Sequence, residues 1–229
     1  MFGASGCVLL AWAAFCAAPR GVATATRPTT APALRLPHIQ VDLDRKRVEI
    51  DCEAVVPPDP LEFVLCLNNT VEHESLLRTQ ARASHIHMGL LLLGLEPGRP
   101  LREESPGRWR APEGPRLRLE VEWEQEGRTL RRPVHELLRP VRGQRAATPP
   151  AWVFVGSRIM DDGNYAADIT GYLVTLVNFE LALIDVSELA SSSNEQLLWA
   201  ADVDRTPRRG QKVRLIIEPL PGVERGKAP

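Results

Sequence analysis

The sequence predicts an α+β fold, mainly antiparallel strands with a few short helices packed on one face. Three observations carry this. Short segments alternate apolar and polar residues with period two, as half-buried strands do. Helix-like stretches are few and short. Strands do not alternate regularly with helices, so a doubly wound parallel sheet is not expected.

Taken in order, residues 39–43 and 48–52 each alternate around the polar run Asp44-Arg45-Lys46-Arg47. This predicts an antiparallel hairpin with Ile39, Val41 and Leu43 facing Val48, Ile50 and Cys52. Pro57-Pro58-Asp59-Pro60 breaks the chain before a third strand at 61–67. Asn68-Asn69-Thr70 then turns it; the triplet is also a formal glycosylation sequon. Ser84 is placed to N-cap a helix from His85 to about Leu93, and Gly94 to end it. Residues 96–115, rich in Pro, Gly and charge, read as an exposed loop. Residues 117–123 alternate cleanly and form a strand, with 128–131 as its hairpin partner across Gly127. Residues 134–138 make a short helical turn and 143–150 a linker. Strands follow at 152–157, 172–177 and 213–217, with a turn at 161–164 and helices expected over 181–190 and 195–201.

The ends carry a different signal. Residues 8–18 form an apolar run of signal-segment length, cut off by Pro19-Arg20 before the roughly 20 residues a membrane-spanning helix needs. Ala23-Thr24-Ala25 offers a small-residue cleavage pattern, although no Lys or Arg precedes the run. The expected organisation is a signal peptide over 1–25, a Pro/Thr-rich flexible lead over 26–37, one domain over 38–220 and a disordered tail over 221–229. Within the domain, sub-lobes over 38–142 and 151–220 are an option. The mature chain would be exported to a periplasmic or extracellular space, with no transmembrane segment after cleavage: the apolar run at 88–95 is too short to span.

The formal net charge is −1, and Glu residues interleave the arginines of the 99–145 region. That pattern predicts a salt-bridged, solvated face and argues against nucleic acid as a partner. Cys52 and Cys66 remain after cleavage and are a candidate disulfide pair in an oxidising compartment. No GxGxxG, P-loop, GxSxG, HExxH or CxxC motif occurs.

One stretch gathers reactive groups. Cys66, His73, Glu74, His85 and His87 fall within 22 residues. Sulfur and imidazole donors suit zinc or copper, so Cys66 and His73 with one helix-start histidine form a candidate metal set, Glu74 and His85 supporting it. A Cys66–His73 dyad is a second option, since imidazole would lower the thiol pKa. A third reading is structural: Cys66 alternates with Val64 and packs in an apolar layer, while the histidines are solvated turn and cap residues.

The run Cys66-Leu67-Asn68-Asn69-Thr70-Val71-Glu72-His73-Glu74-Ser75-Leu76-Leu77, followed by His87-Met88-Gly89-Leu90-Leu91-Leu92-Leu93-Gly94-Leu95-Glu96-Pro97-Gly98, resembles the core signature of the YdjY-domain family. So does the run from Tyr165 through Ala166, Ala167, Asp168, Ile169, Thr170, Gly171 and Tyr172 to Phe179. The resemblance spans about residues 38–218. It implies a bacterial, commonly exported protein and no established reaction. By the resemblance, Cys66, His73, Glu74 and His87 are singled out and His85 less so, which favours Cys66, His73 and His87 as the metal set. Arg208-Arg209 before Gly210 departs from the apolar residues the family pattern leads one to expect. The expected role is that of a non-catalytic binding or scaffolding module of the envelope. Rival expectations are a metal-binding or redox protein using Cys66, His73 and His87, and a thiol-dependent enzyme built on Cys66.

Overall fold

The computed structural model describes Met1 and residues 34–141, 148–190 and 197–221. The fold belongs to the unit Ala31–Pro229. The strands are β1 (Leu34–Leu36), β2 (Ile39–Asp42), β3 (Arg47–Ala54), β4 (Phe63–Leu67), β5 (Ser75–Thr79), β6 (Arg102–Ser105), β7 (Arg108–Arg110), β8 (Arg116–Gln125) and β9 (Arg128–Pro133). They continue with β10 (Leu138–Pro140), β11 (Trp152–Phe154), β12 (Tyr172–Thr175), β13 (Ile184–Val186), β14 (Trp199–Ala201) and β15 (Lys212–Pro219). Two α-helices are present among the described residues, α1 (Ala83–Leu92) and α2 (Ala166–Thr170), with 3₁₀ turns at Glu72–Glu74 and Val134–Leu137.

These strands close on themselves. Around the ring the order is β3, β15, β8, β11, β13, β12, β4 and β5, and β5 pairs back with β3. The result is an eight-stranded barrel, mostly antiparallel, with parallel pairs at β4–β5 and β12–β13. β2 and β1 extend from β3 outside the ring, and β9 extends from β8. Among the described residues 44% lie in strands and 12% are helical, so this is a mainly β protein rather than the expected α+β fold with helices covering a face.

The correction has two physical sources. Residues 181–190 carry helix-forming Leu and Ala, but Ile184–Val186 is the buried β13, bonded on both edges to β11 and β12. Of the expected helix at 195–201, Trp199–Ala201 is β14, paired with β10, and residues before 197 lie outside the described set. Tertiary pairing overrides local propensity in both places. Closure also removes most of the edges that an open sheet would leave for helices to cover.

The expected hairpin of β2 and β3 forms, with Ile39 opposite Ile50 and Val41 opposite Val48, but Leu43 lies beyond the end of β2 and is exposed. β8 alternates as read, with Leu117, Leu119, Val121 and Trp123 buried. The expected loop at 96–115 contains the exposed hairpin β6–β7. The lead expected to run through Pro37 ends in β1, which pairs with β2. The signal segment, most of the linker and the terminal tail lie outside the described residues.

Helix α1 starts one residue before Ser84, with Arg82 at its N-cap. Ser84 does not cap; its hydroxyl donates to Asp168 of α2 at 2.6 Å. The helix ends as Gly94 predicts. Gly94 (φ 83°) donates to Leu91 and Leu95 donates to Leu90, the two bonds of a Schellman motif. Gly89 brings α1 close against β2 and β3: a Cβ there would lie 3.2 Å from the Val41 and Val48 side chains.

Candidate functional site: the barrel seam

The ring closes through a short pairing of β5 with β3. β15 lines one edge of β3 from Val48 to Glu53. The other edge is shared: β2 pairs with residues Arg47 to Ile50, and β5 pairs only at Glu53 and Ala54. Asp51 and Cys52 sit at the hand-over. There the Asp51 N–H donates to the His38 carbonyl (3.0 Å), and the Thr79 hydroxyl donates to the Asp51 carbonyl (2.7 Å). Backbone pairing gives way to side-chain bridging at this point.

A charged fork spans the seam. Arg78, on β5 opposite Glu53, places Nη2 2.5 Å from Glu53 Oε1 and Nη1 2.8 Å from Glu72 Oε2. The second Glu72 oxygen accepts the Asn69 N–H at 2.7 Å, and the second Glu53 oxygen accepts from Lys212 at 2.6 Å. The chain Asn69–Glu72–Arg78–Glu53–Lys212 therefore ties the 68–74 segment, β5, β3 and β15 together. Hydrogen bonds from Lys212 and Arg78 hold the Glu53 carboxyl below its ordinary pKa.

Cavities open on both sides of this fork, with Glu53 and Arg78 as their common wall. The outer one, of about 550 Å³, is lined by Pro57, Asp59, Glu72, His73 and Arg209 as well. Among the described residues neither Asp59 nor Arg209 has an ion-pair partner. The second, of about 330 Å³, lies beside the hand-over, is as open to solvent, and is lined by His38, Asp51, Cys52, Asn68 and Gln80 among others. Both volumes fall in the range of small-ligand sites. Left-handed backbone is concentrated here: His38 (φ 62°), Val56 (φ 47°) and Asn69 (φ 63°). For β-branched Val56 that conformation is strained; its N–H and that of Val55 both reach the Leu76 carbonyl. Strain of this kind persists at sites that the surroundings over-determine.

The residues singled out from sequence are dispersed. Cys66, on β4, is fully buried, and burial pushes its thiol up to about 11. Cys52, on β3, is 5% exposed, gives its thiol to the Ile50 carbonyl at 3.4 Å and is pushed by burial up to about 12. Both are free thiols here. His73 stands on the 3₁₀ turn with its side chain 72% exposed, 3.4 Å from Glu74. Burial, followed by the charge of Glu74, raises the pKa of Glu62. His85 is half-buried on α1 with Nδ1 unpartnered.

His87 belongs to a separate cluster. Its Nδ1 lies 2.7 Å from the Tyr165 hydroxyl, which donates to the Gly156 carbonyl at 2.8 Å. A hydroxyl that spends its proton on Gly156 must accept from His87, so Nδ1 carries the hydrogen and Nε2 the lone pair. Burial lowers the His87 pKa, and its ring meets Phe154 edge-on at 5.0 Å. Among the described residues no three His, Cys, Asp or Glu side chains gather as a metal-holding group. Cys66, His73 and His87 are thus not brought together in this structure. Sequence reasoning passed over Arg78, Glu53 and Asn68. The signal was present in Arg78, a charged residue inside the apolar run Leu76-Leu77-Arg78-Thr79.

A model of the YdjY domain matches residues 39–218, and the chain belongs to that family. No curated protein and no solved structure matches it.

Proposed function

We propose that this YdjY domain is an exported, non-catalytic binding module that takes a small polar ligand in the chambers of its barrel seam. The observation that carries the reading is the Arg78 fork with a cavity on either side, set at the one point where β3 changes partners. Neither thiol supplies a nucleophile: both are buried and held protonated well above neutral pH. The outer chamber instead offers an unpaired carboxylate, an unpaired guanidinium and an imidazole at its rim, groups suited to holding a polar molecule. Export is supported by the apolar run at 8–18 and the Ala23-Thr24-Ala25 pattern. The reading is tested by screening small polar compounds for saturable binding to the wild type and to Arg78→Gln. Binding weakened at least tenfold by the substitution supports it. Specific turnover of any compound, lost in His73→Ala or His87→Ala, overturns it.

A further inference from the structure

The outer chamber carries two opposite charges that the fold leaves unpaired. Asp59 and Arg209 both line it and both are exposed. Among the described residues neither has an ion-pair partner, and they do not pair with each other. Opposite charges that share a chamber without meeting are complementary to a molecule that bears both.

Each charge stands on an anchored piece of backbone near the end of β3. Ala54 donates its N–H to the Gln211 carbonyl at 2.9 Å, and its carbonyl accepts from the Gly210 N–H at 2.8 Å. The Gln211 N–H donates to the Arg208 carbonyl at 2.9 Å, which closes the turn that presents Arg209. Further along the chain from Ala54, Asp59 stands between Pro58 and Pro60, whose rings fix φ. Pro60 bridges to Ala200, and the Leu61 N–H donates to the Trp199 carbonyl at 2.8 Å. The buried Ala54, Val55 and Pro57 line the same chamber with apolar surface.

The other charges of this chamber are engaged. Both Glu53 oxygens accept, from Arg78 and Lys212, and both Glu72 oxygens accept, from Arg78 and the Asn69 N–H. Arg78 spends both terminal nitrogens on these carboxylates. The Thr70 hydroxyl donates to the Leu67 carbonyl at 2.6 Å. What faces a ligand is therefore one free carboxylate and one free guanidinium, with the His73 imidazole at the rim. A simple anion reaches Arg209 but meets Asp59 and two glutamates, and a simple cation reaches Asp59 but meets Arg209.

We propose that the outer chamber takes a small zwitterion, a free amino acid or a short unblocked peptide, with its ammonium on Asp59 and its carboxylate on Arg209. The ammonium donates to the Asp59 carboxylate. The Arg209 guanidinium donates to the ligand carboxylate, for which its planar fork is suited. This rests on the seam being the ligand site, and it names the chemistry of that site.

The test is nuclear magnetic resonance titration of the full chain at low ionic strength, following the backbone amides of the residues that line the chamber. The probes are alanine and dialanine, each alongside its C-amidated, N-acetylated and doubly blocked forms. One or both zwitterions should bind saturably and about tenfold tighter than any blocked form, the scale of one charge-assisted hydrogen bond. The tighter of the two shows whether a free amino acid or a peptide is the source. Arg209→Gln should bring the zwitterion down to the level of its amidated form in the wild type, and Asp59→Asn down to the level of its acetylated form. If either variant fails to fold, the blocked forms decide on the wild type alone. A blocked form that binds as well as the zwitterion, or substitutions that weaken nothing, overturns the assignment. So does the absence of any shift at the residues lining the chamber. In each of these cases the wider seam reading is judged separately, by the Arg78→Gln screen of other polar compounds.

Discussion

Arg78 concentrates in one side chain what the seam depends on. It is part-buried and makes charge-assisted bonds in two directions, to Glu53 and to Glu72. Replacing it by Gln should cost about 1 kcal/mol, since the pairs are partly exposed and screened. Thermal unfolding should then shift down by about 2–4 °C for a chain of this size; an unchanged midpoint would show that the fork does not brace the barrel. Glu53 gives this a pH sign. Its folded pKa is depressed, so its contribution is present above the ordinary carboxylate range and is lost as the pH falls through the lowered value. Asp185 has the opposite sign. Burial raises its pKa from 3.8 to about 6, so stability is lost as the pH rises through that window, by at most about 1.4 kcal/mol per pH unit. Denaturant melts between pH 4 and 7 should show that slope in the wild type and lose it in Asp185→Asn. The two cysteines should resist alkylation at pH 8 in the folded chain and react fully in denaturant, as peptide mapping would show. Rapid native labelling of Cys66 would restore the thiol-enzyme reading.

At the scale of elements, much of the barrel was legible and its closure was not. The period-two runs located β2, β3 and β8, whose alternating apolar positions are buried, and the apolar run at 213–217 located β15. β13 was missed because Ile184, Asp185 and Val186 are all buried, which leaves no alternation to read. Asp185 survives there because it accepts from Thr175 and Asn178 and from the N–H groups of Val186 and Phe179. Asp185→Ala would leave those donors unsatisfied and should cost about 3 kcal/mol. The candidate site was half legible. The 66–79 run contains part of it, but the residue types there with the most chemistry are Cys66 and His73 rather than Arg78. Which of them face the seam depends on a β3–β5 pairing that no local pattern announces. The 68–70 turn is fixed from the far side by Gly171, the left-handed end of α2, where a Cβ would lie 2.3 Å from Thr70 Oγ1. Gly171→Ala should therefore destabilise the chain by more than 1 kcal/mol, through both backbone and clash.

For the whole molecule, the domain is a closed barrel with an opening at its own seam, and its membership of the YdjY family covers that barrel from β2 to β15. The charge-dense face at β8, β9 and β15 is knit by pairs such as Arg131 with Glu120 and Glu218, each contributing little alone. No helix among the described residues is long and apolar enough to cross a membrane. Export predicts that the mature chain recovered from outside the cytoplasm begins at Thr26, as N-terminal sequencing would show; a chain retained inside with Met1 intact would contradict it. On the proposed reading, the domain engages its ligand at the seam. Mapping backbone shifts of the full chain against a panel of small polar compounds tests it most directly. Perturbations should centre on Glu53, Asn68, His73 and Arg78 and fade in Arg78→Gln. Perturbations centred instead on His87, Tyr165 and Gly156, unaffected by that substitution, would contradict it.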